Sequence, residues 1–226
     1  RLSIQDLSSA GAQPMRSRDG KTVITYNGEV YNFQELKKDL QDLGYNFKSA
    51  TDTEVVVAAI EKWGIGAISR FNGMFAFAHW DTKARTLIMA RDRLGQKPLY
   101  WFKDEQCCVF ASELKAILRF LERKFLLDPI AIDQYFARGY ILSPRTIFKN
   151  IHKLPAGCSL KLDAVSWEHT VSSYWDYSPV EVPNDPTQAI DQLDELLSDA
   201  VHKRLIADVP FGCLLSGGID STLMTA

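Results

Sequence analysis

The chain has 226 residues, enough for one large or two ordinary domains. Its 46% hydrophobic and 24% charged residues match an ordinary soluble globular composition. A net charge of −2, with both signs mixed along the chain, gives no reason to expect nucleic acid or an anionic membrane as the main partner, and apolar runs such as 75–78 and 209–215 are far too short to span a bilayer.

In chain order, residues 22–26 are rich in β-formers and predict a strand ending in a turn at Asn27-Gly28. Phe33, Leu36, Leu40 and Leu43 recur at helical spacing, so a helix is expected over 33–43, stopped by Gly44. Thr51 followed by Glu54 reads as a capping box for a second helix over 55–63, ended by Gly64. Residues 75–80 and 86–90 predict two strands joined by the polar segment 81–85, and 99–102 with 107–111 predict another pair. Helices are expected over 113–118 and 130–138, and late strands over 158–162 and 168–174. Pro179, Pro183 and Pro186 then interrupt regular structure, which marks 177–186 as an interdomain linker. Beyond it Ile190, Leu193, Leu196, Leu197, Ala200, Val201 and Leu205 fall on one face of a helix. The continuous apolar run 209–215 predicts a buried parallel strand with a ligand loop at its C-terminal end.

That loop, Ser216-Gly217-Gly218-Ile219-Asp220-Ser221, is the sharpest local feature. Adjacent glycines let backbone N–H groups approach a phosphate, Ser216, Ser221 and Thr222 add hydroxyls, and Asp220 could hold a Mg²⁺ bridging the phosphates. The Gly-Lys-Ser/Thr ending of a Walker A loop is absent, and a plain strand–turn–helix connection is the other reading. Asn27-Gly28-Glu29 reads as a turn, or as an Asn amide beside a Gly N–H that would suit an oxyanion hole. Asp52 reads equally well as a helix-start carboxylate. Arg91-Asp92-Arg93 reads as a solvated charge run in preference to a buried ion pair. The aromatic stretches 71–77 and 99–102 read as core. Cys107, Cys108, Cys158 and Cys213 show no metal-ligand spacing and read as small buried hydrophobes in a reducing cytosol, and the four histidines are scattered.

Taken together and in order, Arg1-Leu2-Ser3-Ile4-Gln5-Asp6-Leu7, Gly11-Ala12-Gln13-Pro14, Tyr26-Asn27-Gly28-Glu29-Val30-Tyr31-Asn32, Asp52-Thr53-Glu54-Val55, Asn72-Gly73-Met74-Phe75-Ala76-Phe77, Arg91-Asp92-Arg93-Leu94-Gly95, Lys97-Pro98-Leu99-Tyr100, Phe110-Ala111-Ser112-Glu113 and the loop at 216–221 resemble the glutamine-hydrolysing asparagine synthetases. The resemblance covers nearly the whole chain. It implies an α+β fold: an N-terminal-nucleophile αββα sandwich, missing its first strand, followed by the start of an α/β Rossmann-like ATP-pyrophosphatase domain. The corresponding boundaries are 1–176 for the glutaminase domain, 177–186 for the linker and 187–226 for the start of the synthetase domain.

The same resemblance implies a carbon–nitrogen ligase that hydrolyses glutamine, channels the ammonia and uses MgATP to make and aminate an aspartyl-AMP intermediate. Arg1 would grip the glutamine α-carboxylate and Asp52 its α-ammonium, with Leu2, Ser3, Ile4, Gln5 and Glu29 lining the pocket and Asn27 and Gly28 forming the oxyanion hole. Leu214, Leu215, Ser216, Gly217, Gly218, Asp220, Ser221 and Thr222 would bind ATP, with Asp220 toward Mg²⁺. Glutamine, ATP and aspartate are the implied partners, with a possible homodimer and a cytoplasmic location. The family's nucleophile is an N-terminal Cys, whereas this chain begins with Arg1, so the chain reads as a fragment truncated at both ends and inactive by itself. Two other readings stay open: an amidotransferase of the same family serving another acceptor, and a non-catalytic glutamine-binding module.

Overall fold

The computed structural model describes residues 4–183 and 185–226. Short strand β1 (Met15–Arg16) pairs antiparallel with β2 (Thr22–Val30), whose Ile24, Tyr26 and Val30 are buried. The turn expected at Asn27-Gly28 is not formed, because β2 continues through both residues and pairs with β3 (Gly73–Asp81) along its whole length. Gly28 lies opposite Phe75 with φ of 152°, and a Cβ on it would sit 2.1 Å from the Met74 carbonyl oxygen. The glycine therefore serves close approach of two backbones and not a change of direction.

The sheet extends from β3 through β4 (Thr86–Arg91) to two later strands. A second hairpin, β5 (Tyr100–Lys103) and β6 (Cys108–Ala111), starts a separate sheet, joined on the other side of β5 by β7 (Ile151–Lys153). With β8 (Cys158–Asp163) and β9 (His169–Ser173) in place, the two antiparallel sheets have the orders β1-β2-β3-β4-β8-β9 and β6-β5-β7. The two short strands β1 and β7 carry too little pattern to stand out in the sequence.

Strand alternation sorts the core into layers. Phe75 and Phe77 of β3 join Ile24 and Tyr26 under helices α1 (Phe33–Asp42) and α2 (Asp52–Trp63), which supply Phe33, Leu36, Leu40, Val56, Ala59 and Ile60. Ala76 and Ala78, on the opposite face, pack with Leu87, Met89, Leu160 and Leu162 against Leu99, Trp101 and Leu154, on and beside the smaller sheet. Phe102 and Ile151 then meet Ile117 of α3 (Leu114–Leu121) on that sheet's outer face. Helix α4 (Pro129–Arg138) follows, with Ala131 its buried residue. The order is α, β, β, α, as expected for the sandwich.

Two local expectations change in detail. Thr51 caps α2 by accepting from the Glu54 N–H at 3.2 Å, but the Glu54 carboxylate accepts from Lys48 and Ser49 N–H groups, so only half the capping box forms. Arg91-Asp92-Arg93 is neither a solvated run nor an ion pair. Asp92 is fully buried and accepts backbone N–H bonds from Phe75, Leu94, Gln96 and Lys97. Arg91 donates to the carbonyls of Gly95, Lys97 and Leu154. Both charges are spent fixing the loop between β4 and β5.

Past the extended segment around Pro179 and Pro183 comes α5 (Pro186–Arg204), capped by Asp185, whose side chain accepts from the Thr187 N–H. No residue of α5 is buried. The run 209–215 forms no strand, and Leu214 is 96% exposed. A parallel strand holds only with neighbours on its ladder, and no described residue pairs with this one. The short helix α6 (Ile219–Leu223) follows the glycine-rich loop. The cysteines depart from expectation as well: Cys107, Cys108 and Cys158 are only partly buried and Cys213 is exposed. Among the described residues no helix is long and apolar enough to cross a membrane.

Candidate functional site

A cavity of about 580 Å³ opens between the two sheets at the end where β2 leaves toward α1, its walls including Ile4, Gln5, Gln13, Tyr26, Asn27, Gly28, Glu29, Asp52, Thr53, Phe110 and Ser112. It brings together Ile4, Gln5, Asn27, Gly28, Glu29 and Asp52, which the sequence resemblance assigned to one glutamine pocket. Arg1, Leu2 and Ser3 lie outside the described residues.

The two sheet-borne groups are placed by the β2–β3 ladder. Asn27 pairs opposite Ala76 and is exposed to the cavity, and its Nδ2 donates to Ser112 Oγ at 3.3 Å. Gly28, next to it, leaves the backbone uncovered on that wall. Asp52 is set by the start of α2, and one oxygen of its carboxylate reaches across to β2: Oδ2 accepts from Tyr26 Oη at 2.7 Å and from the Val30 N–H at 2.9 Å, while Oδ1 accepts from Thr53 Oγ1 at 3.3 Å. Asp52 is thus a cross-layer tie as well as a first-turn acid, which a helix-start reading alone misses.

Glu29 is 5% exposed, and its Oε1 accepts from Gln5 Nε2 at 2.9 Å. Burial first, then the nearby Asp52 carboxylate, push the Glu29 acid up to about 7, while the Gln5 hydrogen bond works in the opposite direction. Burial also raises Asp52, against the hydrogen bonds from Val30, Tyr26 and Thr53 that favour its ionised form. The Tyr26 phenol is pushed well up by burial, with Asp52 adding to it, so it remains a donor. Two buried carboxylates in one cavity form a place for a cation: an ammonium group between them would relieve both the desolvation and the mutual repulsion.

Sequence reasoning gave no role to Gln13, Tyr26 or Ser112. Gln13 Oε1 accepts the Tyr26 N–H at 2.7 Å, and all three line the cavity. Each lies inside a block that carries the resemblance, which was the available signal. None of Cys107, Cys108, Cys158 and Cys213 lines the cavity, so the thiol nucleophile that the resemblance implies is not one of these four.

The glycine-rich loop is separate and exposed. Gly217 has φ of 80°, Gly218 caps α6, and the hydroxyls close on the loop itself: Ser216 Oγ meets Ser221 Oγ at 3.0 Å, and Thr222 Oγ1 donates to the Gly218 carbonyl at 2.8 Å. Leu214 and Leu215 precede it, both exposed. Among the described residues no three His, Cys, Asp or Glu side chains converge to hold a metal ion. A Mg²⁺ carried by a nucleotide needs only one or two protein carboxylates beside phosphate oxygens and water, and the exposed Asp220 fits that limited role.

Stacked antiparallel sheets between helical layers are the αββα arrangement of the N-terminal-nucleophile fold. The model of the glutamine amidotransferase domain family matches residues 1–175, and that of the asparagine synthase family matches residues 192–226. The chain belongs to the glutamine amidotransferase domain family. It is 39% identical to a provisionally named glutamine-hydrolyzing asparagine synthetase 2 of Methanocaldococcus jannaschii, over 98% of this chain and 46% of that protein. It is 35% identical to glutamine-hydrolyzing asparagine synthetase 3 of Bacillus subtilis, over 100% of this chain and 37% of that protein. The chain thus spans less than half the length of these curated relatives. Among solved structures, the glutamine phosphoribosylpyrophosphate amidotransferase of B. subtilis complexed with ADP and GMP matches with a TM-score of 0.52 at 19% identity, over 85% of this chain and 42% of that one. That likeness concerns the fold alone.

Proposed function

We propose that this chain supplies the glutamine site and the first part of the ATP site of a glutamine-hydrolysing asparagine synthetase. The observation that carries the reading is the pair of buried carboxylates, Glu29 and Asp52, in the same cavity as Asn27 and Gly28. Free glutamine carries an α-ammonium, which suits the two acids, and a side-chain amide whose oxygen becomes negative as the carbonyl is attacked. The Asn27 amide and the Gly28 N–H are the donors assigned to that oxyanion, and one such donor contributes typically ~3–4 kcal/mol to a barrier. Arg1 is assigned the α-carboxylate on the resemblance. The attacking thiol is supplied by a residue other than those lining the cavity, and water then releases glutamate after ammonia has left.

The loop at 216–222 is assigned the phosphates of ATP, with Leu214 and Leu215 toward the nucleotide and Asp220 toward Mg²⁺. A bound Mg²⁺ supplies charge neutralisation at the leaving pyrophosphate. Aspartate is the acceptor we favour, since the names of the most similar relatives support it. A second reading keeps the glutaminase and changes the acceptor. It is favoured by one relative, the amidase chry2 of Gibberella zeae, 35% identical over 98% of this chain.

The test uses the full-length protein, measuring glutamate and pyrophosphate release side by side. Asp52→Asn is expected to raise the KM for glutamine at least about tenfold, the loss of a buried charge partner. Asp220→Asn is expected to abolish pyrophosphate release and leave glutamate release intact. Absence of glutamate release from the wild type would overturn the glutaminase reading, and asparagine formed from aspartate decides the acceptor.

A further inference from the structure

Asp208 follows α5 and directly precedes the run that leads into the glycine-rich loop, yet it makes its contacts at the wall of the glutamine cavity. Its backbone N–H donates to the Ile4 carbonyl at 2.8 Å, and its Oδ2 accepts from the Asp6 N–H at 2.7 Å. Between those two anchors Gln5 turns its side chain inward. Its Nε2 donates to Glu29 Oε1 at 2.9 Å and also lies 3.3 Å from the Ile206 carbonyl. The Asp6 carboxylate in turn accepts from the Ala50 N–H at 2.9 Å, just before Asp52. Close by, the Arg204 guanidinium lies 4.3 Å over the Tyr31 ring, which follows Glu29 on the same strand end.

Residues 4–6 have no regular structure of their own. They are held from inside by Glu29 and Ala50, and from outside by Ile206 and Asp208. We propose that Asp208 is a positioning residue for the glutamine cavity: it fixes segment 4–6, and through Gln5 it fixes the Glu29 carboxylate, so that the segment entering the glycine-rich loop and the glutamine site are set together. Irregular backbone keeps one conformation only while its hydrogen bonds hold it, and losing one anchor returns conformational freedom to the residues between. Segments 4–6 and 204–208 are joined by direct hydrogen bonds, so the chain that runs on into the glycine-rich loop is tied to the cavity wall at this place.

The consequence is a split between binding and chemistry. Asn27 and Gly28 sit in the β2–β3 ladder and take no part in this clasp, whereas Glu29, which meets the substrate ammonium, does. Loosening the clasp therefore weakens glutamine binding and spares the turnover of bound glutamine. This inference rests on the glutamine reading of the cavity.

The experiment is steady-state glutaminase kinetics on the full-length protein with Asp208→Ala and Asp208→Asn. Asp208→Ala removes the acceptor for the Asp6 N–H and is expected to raise the KM for glutamine by about fivefold or more, the lower range of a site-to-site coupling, with kcat changed less than about twofold. Asp208→Asn keeps an oxygen in the acceptor position and is expected to stay near wild type. An unchanged KM in Asp208→Ala overturns the proposal, as does equal damage in both variants or a fall in kcat alone. A wild type that releases no glutamate overturns the glutaminase reading itself, and a wild type that does while Asp208→Ala matches it overturns only the clasp.

Discussion

Leu160 and Leu214 both stand in segments that read as strands, yet Leu160 is 1% exposed and Leu214 is 96% exposed. The first lies in β8, paired on both sides and packed between two sheets. The second leads to the glycine-rich loop and has no ladder partner among the described residues. An apolar run predicts that a segment wants to be buried, and whether it becomes a strand depends on what is there to bury it. The two candidate sites inherit this contrast. The acidic cavity is bounded by a sheet ladder, a capped helix and a fixed loop, so its acids are buried and their proton affinities moved. The loop at 216–222 is held by its own hydroxyls and stays open to water.

The strongest way to break that contrast is to add one methyl group in each region. Gly28→Ala would place a Cβ 2.1 Å from the Met74 carbonyl oxygen and 2.6 Å from the Phe75 Cα, both of them backbone atoms of the paired strand. Neither can retreat without separating β2 from β3. The expected loss is above about 4 kcal/mol, beyond the ordinary range for a point substitution, and is read as a failure to fold or a large drop in Tm. Gly217→Ala meets nothing within 4 Å, and only its φ of 80° opposes it. Its cost is expected at about 1–2 kcal/mol, confined to the loop. Equal melting temperatures for the two variants would mean that the β2–β3 approach is not tight.

The next effect concerns protons. Glu29 is raised to about 7 in the folded protein from 4.5 as a free side chain, so between those values the folded state binds a proton that the unfolded state has released. Its contribution to stability is full below about 4.5 and is lost as pH rises through about 7, a total of about 3 kcal/mol at 1.36 kcal/mol per pH unit. Glu29→Gln should therefore stabilise the empty domain at pH 8 relative to wild type and have little effect at pH 4, as read by urea unfolding at each pH. The same variant should bind glutamine poorly. In the wild type the KM for glutamine should rise as pH falls below about 7, because the protonated acid cannot pair with an ammonium. A pH-independent difference in stability between the two proteins would refute the burial argument.

How far the sequence displayed all this follows from the same contrast. Phe33, Leu36 and Leu40, or Thr51 before α2, act over a few residues, and the helices they predict are present with nearly the expected limits. The strands at 75–80 and 86–90 were legible because each is an apolar segment of strand length and a polar stretch joins them. Asn27-Gly28 misled because a turn and a close backbone approach ask for the same glycine, and only the partner strand distinguishes them. Asp92 misled for a related reason: flanked by Arg91 and Arg93 it resembles a surface run, but its partners are main-chain amides from Phe75 to Lys97. Composition cannot display a main-chain amide. The cavity residues were legible mainly as members of ordered motifs. Their convergence depends on sheet stacking, and Gln13 and Tyr26 could be given roles only once that stacking was known.

The smallest effect is expected where the sequence was most suggestive. Leu214→Ala removes a large apolar side chain from a run that reads as core, but at 96% exposure that side chain gives up almost no contact with protein. The expected change in unfolding free energy of this chain is within about 0.5 kcal/mol, as for surface substitutions generally. Leu160→Ala is the matched control. Truncating a leucine that is 1% exposed between two sheets should cost about 2–5 kcal/mol, from lost transfer energy together with the cavity left behind. Urea unfolding of the two variants, followed by tryptophan fluorescence from Trp101 in the inter-sheet core, measures both on one scale. The reasoning separates apolar character from apolar burial, and the two leucines differ only in the second. If Leu214→Ala proved as costly as Leu160→Ala, the run at 209–215 would have to be packed against something in solution, and the strand first expected there would regain its place.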